Sequence, residues 1–417
     1  PIEEQTAAGL RIAVGEGALS AAVTGLLPER GYRGVLRTAA TTSEFTFRTC
    51  RPIDKRRSAG CFLQTGETGS GSVIAAAGSR LVAGWRHETD GSKKLRFAES
   101  LDGGLTWSPP HPLAPDGPPD CPVALGSDGT TFAAAIGVVQ GGPAQMWVRF
   151  SSAARTGWST PVTLESGLHD PALASAGGGR FDLLAWGAWL PGVEPSVRWH
   201  GISTSGGALS TGRRAFVLSH RHSGVTCAYL THSGRRLCVF AIDEDRSGRR
   251  WANWTSTDDP ENGEWAPWRP LIEPGEGLSS DLGVACGDGI LCVGYALGGV
   301  VKVCVSQDDG RTFRTLAGPV HEKLLDWEPA VAIWKKQVFL GAHCLSPADP
   351  NGPTILVFYR SADLVSWESV GRLALPLIEP KDMRFAVSED RIVAVVADHH
   401  AGLASFTLPI KPASSSQ

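Results

Sequence analysis

The stretch ESLDGGLTW at residues 99–107 returns near the other end of the chain as VSQDDGRTF at 305–313. Both obey one frame: Ser, any residue, Asp, any residue, Gly, any residue, Thr, aromatic. Each copy follows an apolar run of strand character, LRFAES in one case and VKVCVS in the other. A glycine at the fifth place permits the positive φ of a tight reversal, and the aspartate carboxylate can accept bonds from turn amides. The closing aromatic can bury against a neighbouring layer. The frame is therefore expected to be a turn between two strands, with a structural rather than a catalytic aspartate.

Working outward, an apolar hairpin recurs seven times: 72–85, 122–137, 171–187, 226–242, 282–295, 329–343 and 384–398. Successive copies lie about 46 to 57 residues apart, which suits a four-stranded propeller blade better than a ~20–30-residue solenoid repeat. After most hairpins a second pair of strands follows, the first ending in Ser and the second starting at an aromatic. The sequence thus predicts an all-β fold, a β-propeller of four-stranded antiparallel blades, seven in number with six as the alternative. The last unit is one strand short after GLASFTL. The strand-like GVLRTAATTSEFTFRT at 34–49 is expected to complete it and close the ring, since closure removes exposed sheet edges. This gives an N-terminal extension over 1–33 that holds a short helix or an edge strand, a single propeller over 34–410, and a disordered tail over 411–417.

The frame at Ser100, Asp102, Gly104, Thr106 and Trp107, matched at Ser306, Asp308, Gly310, Thr312 and Phe313, resembles the Asp-box of sialidase-type propellers. Degenerate copies occur at Ser361, Asp363 and Trp367, and at Ser256, Asp258 and Trp265. The resemblance implies a propeller and a glycan-directed function. It does not extend to the working residues of sialidases, which resemble one another in a Phe/Tyr-Arg-Ile-Pro start and three arginines. Here Tyr32-Arg33 is followed by Gly34-Val35, and CRPI at 50–53 reverses the order.

Composition agrees with many short strands: of 417 residues, 50 are Gly and 28 Pro, with 2 Met and 19% charged. The formal net charge is −3 and no basic run occurs, so a nucleic-acid partner is not expected. No apolar run reaches the ~18 residues of a transmembrane helix. The chain begins at Pro1, so a removed leader would favour secretion; the compartment is otherwise unassigned. Nine cysteines in no metal-binding spacing read as buried thiols. Cys286 and Cys292 flank a two-residue turn at Asp288-Gly289 that sets them diagonally. Asn253-Trp254-Thr255 is a lone glycosylation sequon. The Gly-rich stretches GETGSGS and SAGGGR lack the lysine or strand-to-helix context of phosphate loops and read as turns.

Strand direction then separates two faces. With the frame turns on one, the starts of the first strands and the ends of the second strands lie on the other, around the ring's mouth. There the sequence places Asp120, His169 and Asp170, Asp281, the Asp326-Trp327-Glu328 run, and Asp382 with Arg384. Arg86, Trp186, Trp189, Tyr295 and His343 end the second strands. A glycosidase needs two carboxyl groups about 5–5.5 Å apart for retention or about 6.5–9.5 Å for inversion. Asp170, Glu328 and Asp382 are the catalytic candidates, and the others are expected to bind substrate, the aromatics by stacking on a sugar. The expected protein is a monomer with a glycan or small-molecule ligand, no cofactor and no metal. Alternatives are a sugar-binding lectin and a non-hydrolytic biosynthetic cyclase or lyase using the mouth as a substrate cage.

Overall fold

Runs such as RIVAVVAD at 391–398 are strands because their apolar side chains can face neighbours on both sides while both backbone edges are paired. Glycines and a few residues of positive φ supply the reversals between them. The computed structural model describes residues 10–15, 18–23, 31–37, 42–48, 59–64, 71–89, 92–114, 123–138, 145–154, 157–166, 168–187, 196–204, 207–208, 213–217, 225–233, 236–244, 247–262, 264–273, 278, 281–298, 300–316, 319, 329–344, 355–374, 380–398 and 402–410. Two compact units emerge, Pro1–Arg57 and Ser58–Gln417. In the first, β1 (Leu10–Gly15) pairs with β2 (Ala18–Val23), and β3 (Gly31–Arg37) with β4 (Thr42–Arg48), both antiparallel.

The second unit opens with β5 (Ala59–Gln64) and continues as seven antiparallel sheets. The first sheet is β6 (Val73–Ala77), β7 (Arg80–Thr89) and β8 (Ser92–Ser100), extended at its edge by a bridge between Phe97 and His111. The second is β9 (Val123–Ser127), β10 (Thr131–Val138), β11 (Gln145–Ser152) and β12 (Val162–Ser166). The third is β13 (Leu168–Gly177), β14 (Arg180–Gly187) and β15 (Ser196–Ser203), with β16 (Gly207–Ala208) and β17 (Arg213–Val217) both paired to β15. The fourth is β18 (Val225–Ser233), β19 (Arg236–Glu244), β20 (Arg250–Thr257) and β21 (Arg269–Pro270). The fifth is β22 (Gly283–Gly287), β23 (Ile290–Leu297), β24 (Val300–Ser306) and β25 (Arg314–Leu316). The sixth is β26 (Ala330–Trp334), β27 (Gln337–Cys344), β28 (Ile355–Ser361) and β29 (Glu368–Ala374). The seventh is β30 (Pro380–Ser388), β31 (Arg391–Asp398) and β32 (Gly402–Pro409), completed by β5.

The first strands follow one another in a cycle: β6 beside β9, then β13, β18, β22, β26 and β30, with β30 again beside β6. Small residues allow this close approach. A Cβ on Gly283, for instance, would overlap the carbonyl oxygen of Pro329, just ahead of the next sheet's first strand. The second strands are the most deeply covered, as in β10 and β23, where seven of eight residues are buried. Apolar layers fill the spaces between consecutive sheets, and one of them joins Val395, Ala397 and Leu403 of the seventh sheet and Leu63 of β5 to Ala83, Trp85 and Ala98 of the first. Each fully buried Leu, Val or Phe in such a layer contributes roughly 1.5–3 kcal/mol.

The strand that completes the seventh sheet is β5, not the 34–49 segment expected from the sequence. That segment has a local partner instead: β3 and β4 fold on each other, Val35 opposite Glu44, across the polar TAAT link. The second unit accordingly begins at Ser58 rather than at residue 34. Within 1–33 the described elements are a strand hairpin, β1 with β2, and no helix. The tail 411–417 lies outside the described residues. Among the described residues there is no helix, so none is long and apolar enough to cross a membrane.

Candidate functional site

The repeated turns define one face. In the first, Ser100 Oγ donates to Asp102 Oδ1 at 2.9 Å and accepts from Gly104 N at 2.8 Å. Leu105 N and Thr106 N donate to the same Oδ1 at 3.0 and 2.8 Å, and Thr106 Oγ1 to Oδ2 at 2.6 Å. The second copy repeats the set around Asp308, through Ser306, Gly310, Arg311 and Thr312. The shortened copy keeps the core of it, Val365 N and Ser366 N donating to Asp363 at 2.9 and 2.8 Å. In the lengthened copy the sequence misassigned the acid. Asp258 pairs with Arg236 at 2.6 Å, and Asp259 takes the turn amides of Glu261 and Asn262.

Asp102, Asp308 and Asp363 have their oxygens filled by their own turns, which holds them ionised. For Asp102, burial pushes the carboxyl upward, but the hydroxyl and amide of Thr106 and the bonds from Ser100 and Leu105 outweigh it and keep it below its ordinary value. Asp308 is lowered to about 2, burial again being outweighed by Thr312, Ser306 and Arg311. Ser366, through its hydroxyl and its amide, holds Asp363 lower still. A carboxylate so placed has no proton to give near neutral pH and no oxygen aimed at a ligand. The turns share their face with the reversals between first and second strands: Gly103 N donates to Ser79 O at 2.8 Å, and Ser388 Oγ to Gly78 O at 2.7 Å.

The opposite ends of the strands carry the candidate site. Asp382, near the start of β30, is 8% exposed, and its Oδ2 accepts the Gly71 amide. Ser72 Oγ donates to the Asp382 carbonyl oxygen at 3.2 Å. Arg86, half-buried near the end of β7, lies against the same glycine: a Cβ on Gly71 would be 3.0 Å from its Nε and Nη2. An acid from the seventh sheet and a guanidinium from the first therefore meet at one backbone position.

The remaining candidates are placed as follows. Asp281, just before β22, is ion-paired at 3.4 Å to Arg250 at the start of β20, which ties the fifth sheet to the fourth. Arg384 is half-buried and donates from Nη1 to the Met383 carbonyl at 2.9 Å. His343 is 6% exposed in β27. Tyr295 corrects its expectation: it is 4% exposed in the layer between the fourth and fifth sheets, its hydroxyl 3.7 Å from Cys304 Sγ, and so is core rather than a stacking surface. The backbones of His169 and Asp170 lie in β13 and that of Trp186 in β14, His169 opposite Trp186, while their side chains fall outside the described residues. Asp120, Trp189, Asp326, Trp327 and Glu328 lie wholly outside them. Among the described residues no group of three metal-ligating side chains converges. Cys286 is paired with Leu291 and Cys292 with Ala285, the expected diagonal, and neither sulfur is in a disulfide.

Sequence reading missed Gly71, Ser72 and Arg250. The first two stand inside GETGSGS, which reads as a turn. Their signal is a long-range bond to Asp382 across more than three hundred positions, 311 for Gly71, and nothing local announces it.

Among solved structures, the chain is similar to polysaccharide lyase Uly1, with a TM-score of 0.51, 9% identity, and 82% of this chain and 90% of that one covered. It is also similar to the phage phi92 endosialidase, with a TM-score of 0.49, 12% identity, and 94% and 74% covered. The Trypanosoma rangeli sialidase in complex with sialic acid gives a TM-score of 0.46, 11% identity, and 84% and 58% covered, so this chain spans little more than half of that one. No protein-family profile matches the sequence, and no curated protein matches it. Of these only the likeness to Uly1 reaches a TM-score of 0.5, and at 9% identity it speaks to the fold alone. The antiparallel, mostly four-stranded sheets are those of an all-β fold of the propeller type. The same fold hosts unrelated activities, so function has to be argued from the site.

Proposed function

We propose that the protein is a glycan-acting enzyme, a glycosidase-like hydrolase working at the mouth of a seven-bladed propeller, on the face opposite its Asp-box turns. The cycle of first strands and the completion of the seventh sheet by β5 support seven blades in a closed ring. The observation that carries the functional reading is Asp382. It is a buried carboxylate near the start of an innermost strand, fixed through Oδ2 by Gly71, the same backbone position against which Arg86 lies. Fixing Oδ2 leaves Oδ1 to exchange a proton with the sugar. Glu328, from the neighbouring blade, or Asp170, across the mouth, supplies the second carboxyl group that glycoside hydrolysis requires. Trp186, Trp189 and Trp327 give the sugar flat apolar faces, and Asp120, His169 and Asp326 meet its hydroxyls.

The placement of Arg86 favours a second reading, a lyase. A guanidinium and a base gathered at one backbone position suit removal of a proton from the carbon beside a sugar carboxylate, because the cation offsets the charge that develops. The two chemistries leave different products: a lyase creates a carbon–carbon double bond that absorbs in the ultraviolet, and a hydrolase creates only a reducing end.

The test is a panel of aryl glycosides and of neutral and uronate-containing polysaccharides, followed both by reducing ends and by ultraviolet absorbance. Asp382→Asn is expected to lose at least ~100-fold in rate, the usual share of a general acid or base. Asp102→Asn, on the other face, is expected to keep the rate. Equal activity of wild type and Asp382→Asn removes Asp382 from the mechanism. Binding of a glycan with no turnover of any substrate leaves the lectin alternative.

A further inference from the structure

β5 and the pair Gly71-Ser72 hold the seventh sheet at its two edges. At the outer edge β5 pairs with β32, from Ala59 opposite Thr407 to Gln64 opposite Leu403. At the inner edge Gly71 N donates to the Asp382 carboxylate, and Ser72, 2% exposed, donates to the Asp382 carbonyl. Gly71 holds φ at 95°, a conformation glycine adopts without strain and other residues rarely do, and a Cβ there would lie 3.0 Å from the Arg86 guanidinium. The residue thus lies between carboxylate and guanidinium, in a backbone conformation that favours glycine.

We infer that Gly71 is a positioning residue for Asp382, and that docking of β5 on the outer edge of the seventh sheet delivers the amide that sets this carboxylate at the inner edge. The inference rests on the reading of Asp382 as the proton-exchanging group. Ring closure and assembly of the site are then one event: the segment that completes the sheet also orients its acid. A carboxylate without that bond could turn about its side-chain torsions, and misplacement of a reacting group by as little as 1 Å costs rate.

Hydrogen exchange of the whole chain tests this without a substrate. In the wild type the Gly71 amide should exchange slowly. Asp382→Ala should speed it by about tenfold or more, while Asp382→Asn, which keeps an acceptor oxygen, should leave it slow. Phe62→Pro, which puts a residue without an N–H into β5, should release Gly71 together with the β5 amides while Val293 and Val303 of the fifth sheet remain protected. Unchanged exchange at Gly71 in Asp382→Ala overturns the bond. Release of β5 with Gly71 still protected overturns the coupling. Where Phe62→Pro loses protection at Val293 as well, the Asp382→Ala and Asp382→Asn pair still decides. On a substrate from the panel, Gly71→Ala should lower kcat by about tenfold with KM little changed, as a loss of transition-state positioning does. Unchanged kcat overturns the role. Exchange behaving as expected with every glycan inert would sink the glycosidase reading and leave the positioning intact.

Discussion

Gly310 lies directly against Cys238 of the preceding sheet, so closely that a Cβ on Gly310 would overlap the cysteine sulfur. The first frame turn has the same relationship to the seventh sheet, where a Cβ on Gly104 would come within 2.6 Å of Val393. The glycine of the repeated frame therefore does two jobs. It turns the chain, with φ of 72° at Gly310 and 85° at Gly104, and it lets the turn press onto the neighbouring sheet. Burial pushes the Cys238 thiol up to about 12, so the sulfur acts here as an apolar packing group.

Gly310→Ala should accordingly cost more than an ordinary turn glycine. Overpacking adds about 1–3 kcal/mol to the roughly 1 kcal/mol cost of placing alanine at positive φ. Gly129 is the control, at φ 86° with open space around its Cα. Gly129→Ala should therefore show only the conformational part. Urea denaturation of the three proteins measures the difference, and equal losses for the two variants would refute a contact role for Gly310.

Lys335 and Lys336 form the reversal between β26 and β27 with φ of 49° and 60°, the left-handed pair of a type I′ hairpin that glycine and asparagine adopt more easily. Lys336→Gly should stabilise by about 0.5–1 kcal/mol, because it relieves the left-handed cost and keeps the N–H that donates to Asp288 Oδ2 at 2.8 Å. Lys335→Asn should be close to neutral. It relieves the same strain but removes an ammonium that lies 4.1 Å from the Trp334 ring centre, a contact of about 0.5–1 kcal/mol. A lower thermal midpoint for Lys336→Gly than for wild type would contradict the strain argument.

The fold was legible because its instructions are local. The hairpins announce themselves through apolar runs broken by Asp288-Gly289 or Lys335-Lys336, and the Ser-x-Asp turns through residues within eight positions of each other. What failed was choice among near equals. Ala59–Gln64 is only six residues long, and its pairing with β32 is set by distant chain, so the longer 34–49 run looked like the better closing strand. Asp258 and Asp259 both fit a stretched frame, and only the position of Arg236 decides which carboxylate is drawn away. At the site the carboxylate Asp382 was readable as an acid opening a first strand. Arg86 was readable as a residue of the same mouth, but the amide of Gly71 was not, since it stands 311 positions from Asp382 and no spacing announces the bond.

His200 supplies a pH dependence whose sign follows from its surroundings. It lies in β15 opposite Leu183, a member of the apolar layer between the second and third sheets, and is 2% exposed. Burial, helped by the charge of Arg198, lowers its pKa from 6.5 to about 4. The unfolded chain thus binds a proton below pH 6.5 that the folded chain refuses until about pH 4, so stability is full above the upper value and falls as pH drops through this window. A shift of this size corresponds to about 3 kcal/mol between the two ends of the window. His200→Gln, which cannot take up the proton, should flatten that part of the stability curve whatever its effect at neutral pH. Chemical denaturation from pH 7.5 down to pH 4, at roughly half-unit steps, measures the slope in each protein. Parallel curves for wild type and His200→Gln would show that His200 titrates alike in both states, against its burial.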